Sequence, residues 1–264
     1  MAAVPSSLPD LSNLNVHDRD LRQPRRVLSD PENPPGDGVY CLDRRDATEP
    51  CGAYVILKRA AVQATPEEFA EAKAFFLHNY GYSNFMGHTV TRRQCTFGTV
   101  KYKNYDLVPP LRWPALVRRV IDATQAFAQE MGIAHWNEYD AVHGNYYEDE
   151  GAAVSPHADD EAQLVKGAPI FSYTFLEHDD NARARDFWII AKPKQASIEG
   201  RGTLAKVRLE SGDLLVMAGD MQERFYHALP KPAGAVEGGY APRLNFTVRR
   251  FRPAESKKRT HGGV

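Results

Sequence analysis

Cysteine is scarce: Cys41, Cys51 and Cys95 are the only three in 264 residues. An odd number cannot close a complete disulfide set, so the expectation is plain thiols in a reducing, intracellular compartment, nucleus or cytoplasm. Cys41 and Cys51 also stand too far apart in sequence for the CxxC pairs of zinc sites. No apolar run approaches the ~20 residues that span a bilayer, so no helical membrane anchor is expected. The opening MAAVPSSLPD lacks a basic n-region and an apolar h-region, which argues against a secretory signal. Neither sign of charge dominates: 33 Lys and Arg face 34 Asp and Glu, for a net charge of -1. A polyanionic partner would therefore have to meet a local basic patch rather than a basic field.

What is present is an ordinary globular composition, 42% hydrophobic and 10% aromatic, long enough for one large domain or two small ones, with a sizeable core. Residues 1–38 carry Pro, Asp, Asn and Arg without an apolar period, and PENPPGDG at 31–38 is a Pro/Gly linker. They read as a flexible N-terminal arm. Order is expected from Val39. CGAYVILK at 51–58 reads as a strand. A helix follows with Thr65 as N-cap, Pro66 at N1 and Glu68 completing a capping box, with Phe69, Ala72 and Phe76 as its apolar stripe and Gly81 as a stop. A second helix is expected over 113–131, with Leu116, Val117, Val120, Ile121 and Phe127 at helical spacing.

From there the pattern changes. Short β-like runs at 136–147, 169–176, 187–192, 203–209, 214–218, 225–229 and 243–251 are divided by turn residues such as ESGD and AGD. Such spacing predicts a barrel or jelly roll, mainly β with flanking helices. Between the two helices, residues 79–106 concentrate aromatics and cations, including Phe85, Met86, Arg92, Arg93, Phe97 and Tyr102. Aromatic faces can stack on bases and cations can meet phosphates. A half-buried hairpin with a solvated basic face would look the same. The closing segment, residues 253–264, reads as a basic disordered tail.

Candidate chemistry starts at SPHADDE, residues 155–161. On a strand, His157 and Asp159 would point to one face and could share a metal ion. His227, in RFYHALP on a late strand, is a candidate third ligand. Two His and a carboxylate suit non-haem Fe(II). They also suit catalytic zinc, with Glu161 recruited as a base. The strand RLNFTVRRF at 243–251 separates the two. Arg243, Asn245, Thr247 and Arg249 alternate onto one face. Two guanidiniums there make sense opposite anions, namely Asp159 and a dicarboxylate such as 2-oxoglutarate. Asn145 and Tyr147 could supply neutral hydrogen bonds to it.

Taken together, NYY, HADDE, PIFSYTF, GDMQERFYHALPK and PRLNFTVRR resemble, in content and order, the AlkB family of Fe(II)/2-oxoglutarate dioxygenases, over residues 94–251. RRQCTFG at 92–98 is similar to the nucleotide-recognition region of that family's nucleic-acid demethylases. Phe97 stands there in place of a usual Tyr, which keeps stacking and loses a phenolic hydrogen bond. The resemblance implies a double-stranded β-helix (jelly roll) oxygenase core at about 136–252. That core lies in a single domain at 39–252, with nucleotide recognition at about 80–106.

The resemblance further implies that His157, Asp159 and His227 bind Fe(II) and are catalytic. Arg243 would take the distal carboxylate of 2-oxoglutarate, and Arg249 would lie near its keto acid and Asp159. Asn145, Tyr147 and Asn245 would help hold it, with O₂ as the second cosubstrate. Glu161, Arg92, Phe97 and Tyr102 would meet the substrate, with Phe85 and Met86 as a wedge in the duplex. The implied activity is oxidative demethylation of bases such as 1-methyladenine and 3-methylcytosine in DNA or RNA, by a monomer with no membrane partner. A flipped base would have to leave its stack. The alternatives are a 2-oxoglutarate enzyme acting on a protein, lipid or other modified base, a non-catalytic reader of modified nucleic acid, and a metal-free structural jelly roll.

Overall fold

The computed structural model describes residues 28–30, 35–43, 51–82, 84–85, 88–98, 106–194 and 203–252. In chain order the strands are β1 (Gly38–Cys41), β2 (Ala53–Lys58), β3 (Asn84–Phe85), β4 (His88–Thr89), β5 (Arg93–Phe97), β6 (Leu107–Val108), β7 (Ala141–Tyr147), β8 (Val154–His157), β9 (Ile170–Leu176), β10 (Asp186–Ala191), β11 (Thr203–Arg208), β12 (Leu214–Gly219), β13 (Phe225–Leu229) and β14 (Arg243–Arg249). The helices are α1 (Pro66–Asn79), α2 (Ala115–Glu130) and the single turn α3 (Met221–Arg224). Eight strands form a major sheet in the order β1-β2-β12-β9-β14-β7-β5-β6, and four form a minor sheet in the order β11-β10-β13-β8.

The major sheet is covered on both faces, and alternation along its strands shows how. On β12, Leu214 and Val216 join the helices' core with Phe76, Leu116 and Val120. Their neighbours Leu215 and Met217 join the opposite core with Phe187, Ile189 and Phe225 of the minor sheet. The result is a layer of helices, a major sheet and a minor sheet, the double-stranded β-helix expected from the sequence. On β14 the same alternation sends Leu244, Phe246 and Val248 into the helix core. Arg243, Asn245, Thr247 and Arg249 go to a cavity between the sheets. A strand in that position can be buried along its whole length and still carry two guanidiniums.

The first helix forms as its cap predicts. Thr65 Oγ1 accepts the Glu68 amide at 3.2 Å, and Glu68 Oε2 accepts the Thr65 amide at 2.9 Å. Phe69, Ala72 and Phe76 are its buried stripe. It stops one residue earlier than Gly81 suggested, with Tyr80 as the C-cap.

Four expectations need correction. First, Cys41 and Cys51 are bonded to each other, with Cα atoms 5.8 Å apart. The β1–β2 hairpin brings the two together across a sequence separation of 10, and an odd count of three leaves room for one bond and one free thiol. The argument for a reducing compartment from unpaired thiols loses that support, and only Cys95 is a free, buried thiol. Second, the fold reaches back into the arm: Leu28 is buried in the core between the sheets, and the Ser29 hydroxyl accepts the Lys206 amide at 2.7 Å. Third, strand β8 ends at His157, so Asp159 lies just beyond it rather than on it. Fourth, residues 136–138 form a 3₁₀ turn and β7 begins only at Ala141. The tail at 253–264 lies outside the described residues, as do Met86 and Tyr102. Of Phe85 only the backbone, in β3, is described.

Candidate active site

Strands β8 and β13 pair antiparallel with His157 directly opposite His227, their ring centroids 4.3 Å apart. Asp159, 4% exposed, closes the group from the turn after β8. Its Oδ1 lies 3.9 Å from His157 Nε2 and its Oδ2 4.0 Å from His227 Nε2. One ligand atom from each of the three lies within 4.8 Å of the others. The surroundings aim these atoms. His157 Nδ1 faces the Ser155 carbonyl at 2.9 Å; as the N–H donor there it leaves Nε2 with its lone pair toward Asp159. His227 stacks on Phe187 at 5.6 Å. The Asp159 amide donates to Gln222 Oε1 at 2.8 Å, and Arg249 Nη2 reaches Asp159 Oδ1 at 2.8 Å.

The electrostatics put all three in a ligating state. Burial pushes His227 down to about 3, helped by His157 and opposed by Asp159. Burial also lowers His157, against the pull of Asp159. For Asp159 burial alone would raise the carboxyl, but Arg249 and then the two histidines outweigh it and hold it at about 2. Two neutral imidazoles and one carboxylate are what a divalent cation requires. Asp159 Oδ2 accepts no hydrogen bond among the described residues, and a buried anionic oxygen in that condition is costly. A metal ion would satisfy it. The donor set fits the facial triad of non-haem Fe(II).

The cavity beside the triad measures about 80 Å³, and Arg243 lines it. Arg243 is 3% exposed, donates to Thr174 Oγ1 at 2.8 Å and lies over the Tyr147 ring at 5.2 Å. Among the described residues no carboxylate pairs with it. Burial is the main reason its guanidinium is pushed down to about 10. An unneutralised buried cation in a cavity is a receptor for an anion, and this separates an oxo-acid cosubstrate from a bare zinc-hydrolase reading. Asn145, Tyr147 and Asn245 line the same space. Asn145 Nδ2 donates to Asn245 Oδ1 at 3.4 Å, and Asn245 Nδ2 donates to Ser172 Oγ and the Tyr173 carbonyl, each at 2.9 Å.

The residues expected to meet a substrate are more dispersed. Phe97 is fully buried, packed against Phe75, Phe76, Trp113 and Phe246. It is a core residue and cannot stack on a base, a correction to the expectation that its ring faces a nucleotide. Arg92 turns inward, with Nε donating to Asn145 Oδ1 at 2.9 Å and Nη1 to the Ala153 carbonyl at 3.0 Å. Arg93 is engaged by Glu148 at 3.2 Å and by the Tyr82 ring at 5.0 Å. Glu161 does not line the metal cavity. It lines a neighbouring one of about 300 Å³ that shares Asp159 and Arg249 with it.

Several site residues were missed. His143 and Ser172 line the metal cavity. The alternation that exposed Arg243 on β14 would have found His143 and Ser172 had it been applied to β7 and β9. Gln222, which accepts the Asp159 amide, lies outside any such pattern.

This two-sheet fold, with a His-Asp-His group and a buried arginine lining one cavity, has the architecture of the jelly-roll class of iron oxygenases. The chain belongs to the 2OG-Fe(II) oxygenase superfamily, whose description matches residues 58–249. That superfamily uses Fe(II), with 2-oxoglutarate and O₂ as cosubstrates, and within it the chain is AlkB-like. It is 29% identical over 175 residues to the DNA oxidative demethylase ALKBH2 of Bos taurus, covering 64% of this chain and 56% of that protein. The Homo sapiens protein of the same name is 26% identical over 208 residues, covering 76% and 73%. For the mouse protein the match spans 65% of its length. A solved structure, that of OsALKBH1, gives a TM-score of 0.46 at 17% identity, covering 74% of this chain and 96% of that one. Among the described residues no helix is long and apolar enough to cross a membrane.

Proposed function

We propose that the protein is an Fe(II)/2-oxoglutarate-dependent oxidative demethylase of N-alkylated bases, with DNA carrying 1-methyladenine or 3-methylcytosine as its substrate. One observation carries this reading. A single cavity holds a group of three candidate metal ligands and the buried Arg243 guanidinium, which has no carboxylate partner among the described residues. The choice of DNA follows the names of the relatives.

In this reading His157, Asp159 and His227 hold Fe(II). Arg243, backed by Tyr147 and Thr174, takes the distal carboxylate of 2-oxoglutarate, while Asn145 and Asn245 fix its orientation. Arg249 keeps Asp159 ionised and in place. When bound, iron and 2-oxoglutarate supply an oxidation in which O₂ gives one oxygen atom to succinate, released with CO₂, and the other to the substrate N-methyl group. The resulting N-hydroxymethyl group loses formaldehyde and a proton and leaves the ring nitrogen unsubstituted. The flipped base occupies the cavity of about 300 Å³, where Glu161 and Asp160 offer acceptors to an exocyclic amine or a cationic methylated ring.

The test is turnover on a panel of methylated DNA and RNA oligonucleotides, following demethylated base and succinate together. The wild-type protein should demethylate DNA in an iron- and 2-oxoglutarate-dependent way. His157→Ala and Asp159→Ala should form no succinate. Full turnover by either variant would refute the iron assignment. Succinate without demethylation of any oligonucleotide would move the substrate to a protein, lipid or other modified base.

A further inference from the structure

Three arginines are buried among the described residues: Arg185, Arg243 and Arg249. The proposed reaction uses the last two. Arg185 sits just ahead of β10, outside the cavity lining, and is 4% exposed. Its Nη1 donates to the Ala152 carbonyl and its Nη2 to the Pro230 carbonyl, each at 2.6 Å. Ala152 precedes β8 and Pro230 follows β13, the two strands that carry His157 and His227. Those strands pair at His227 with His157 and at Leu229 with Val154, with an irregularity between. Arg185 therefore ties together the far end of an irregular ladder. It also stands behind Tyr147. Its guanidinium is 6.0 Å from the centroid of that ring, and the Arg243 guanidinium is 5.2 Å from it. Neither arginine has an ion-paired carboxylate among the described residues. Two buried cations around one ring repel each other and favour a doubly negative guest over a singly negative one.

We propose that Arg185 is a positioning residue for the cosubstrate: it holds Tyr147 and the ends of β8 and β13 in register. It also adds a second buried positive charge behind Arg243, so that the cavity selects a 2-oxo dicarboxylate over a 2-oxo monocarboxylate. The inference rests on the cosubstrate reading given above and extends it to a residue outside the cavity.

The experiment measures anaerobic binding of 2-oxoglutarate and of 2-oxopentanoate to the Fe(II)-loaded full chain, by the visible charge-transfer band. Mn(II) affinity and the circular dichroism spectrum are followed alongside. Arg185→Gln loses the charge and is too short to bridge both carbonyls; Arg185→Lys keeps the charge and cannot bridge them either. Arg185→Gln should weaken 2-oxoglutarate binding about tenfold more than it weakens 2-oxopentanoate binding, so that discrimination collapses. Arg185→Lys should retain most of the discrimination at a lower affinity for both acids. If both variants have a native spectrum and unchanged 2-oxoglutarate affinity, Arg185 is a structural residue only and the inference fails. An equal loss for both acids in Arg185→Gln would also overturn the charge argument. If Arg185→Gln does not fold, Arg185→Lys decides: loss of discrimination with the charge retained refutes the proposal. A wild-type protein that develops no band with 2-oxoglutarate would instead refute the cosubstrate reading itself.

Discussion

At the scale of single residues, Phe97 and Arg243 show what a sequence can and cannot disclose. Both sit in motifs that resemble a known family, and both are buried. Arg243 was legible because strand alternation assigns it a face together with Asn245, Thr247 and Arg249, and a pair of cations on a buried face demands anions. Phe97 was misread because an aromatic ring fits a core and a base stack equally well. Only the packing of Phe75, Phe76, Trp113 and Phe246 around it decides. A measurable difference follows. Phe97→Ala should cost about 3–5 kcal/mol of stability, as for other buried aromatic truncations. Phe97→Leu should fold and bind a methylated oligonucleotide with unchanged affinity. A stable Phe97→Leu protein with affinity lowered tenfold would return the ring to the substrate site. Arg185 belongs at the same scale, and nothing in its neighbourhood of sequence marks it. Its role comes from two carbonyls brought to it by segments far away in the chain.

At the scale of elements, most strands were readable from β-branched and aromatic content, and apart from the start of β7 their bounds differ from the expected ones by a residue or two. Turn residues mark the ends, and the chain has no competing helical period there. Strand β1 was missed because its four residues, GVYC, sit between a Pro/Gly linker and a polar stretch. Strand β8 stops at His157, two residues short of the Asp159 that HxD alternation would place on it. The turn that follows presents the carboxylate just as well. Helix α1 was the most legible element, since each part of its start signal acts locally. Thr65→Ala removes the acceptor for the Glu68 amide and should lower unfolding stability by about 1 kcal/mol, read from a urea titration, while succinate formation stays at the wild-type level. A loss of activity with no loss of stability would mean that the helix start communicates with the site, which the packing gives no reason to expect.

For the whole molecule, the N-terminal hairpin is tied to the site through α3. Cys41 and Cys51 are bonded, Asp43 Oδ1 accepts the Gly52 amide at 3.1 Å, and Asp43 also pairs with Arg224. Arg224 holds Asp220 at 2.8 Å, and the Asp220 amide donates to the Gly52 carbonyl at 2.8 Å. Gln222, in the same short turn, accepts the Asp159 amide. The disulfide closes a loop with a sequence separation of 10, so its chain-entropy contribution should be about 2–3 kcal/mol. Reduction should therefore move the urea midpoint down by the corresponding amount, and Cys51→Ser should abolish that response. Alkylation under denaturing conditions should find one thiol, Cys95, before reduction and three after it. If three thiols react without reductant and the midpoint is indifferent to it, the hairpin is held by Asp43 and Arg224 alone. The expectation of unpaired cysteines would then stand after all.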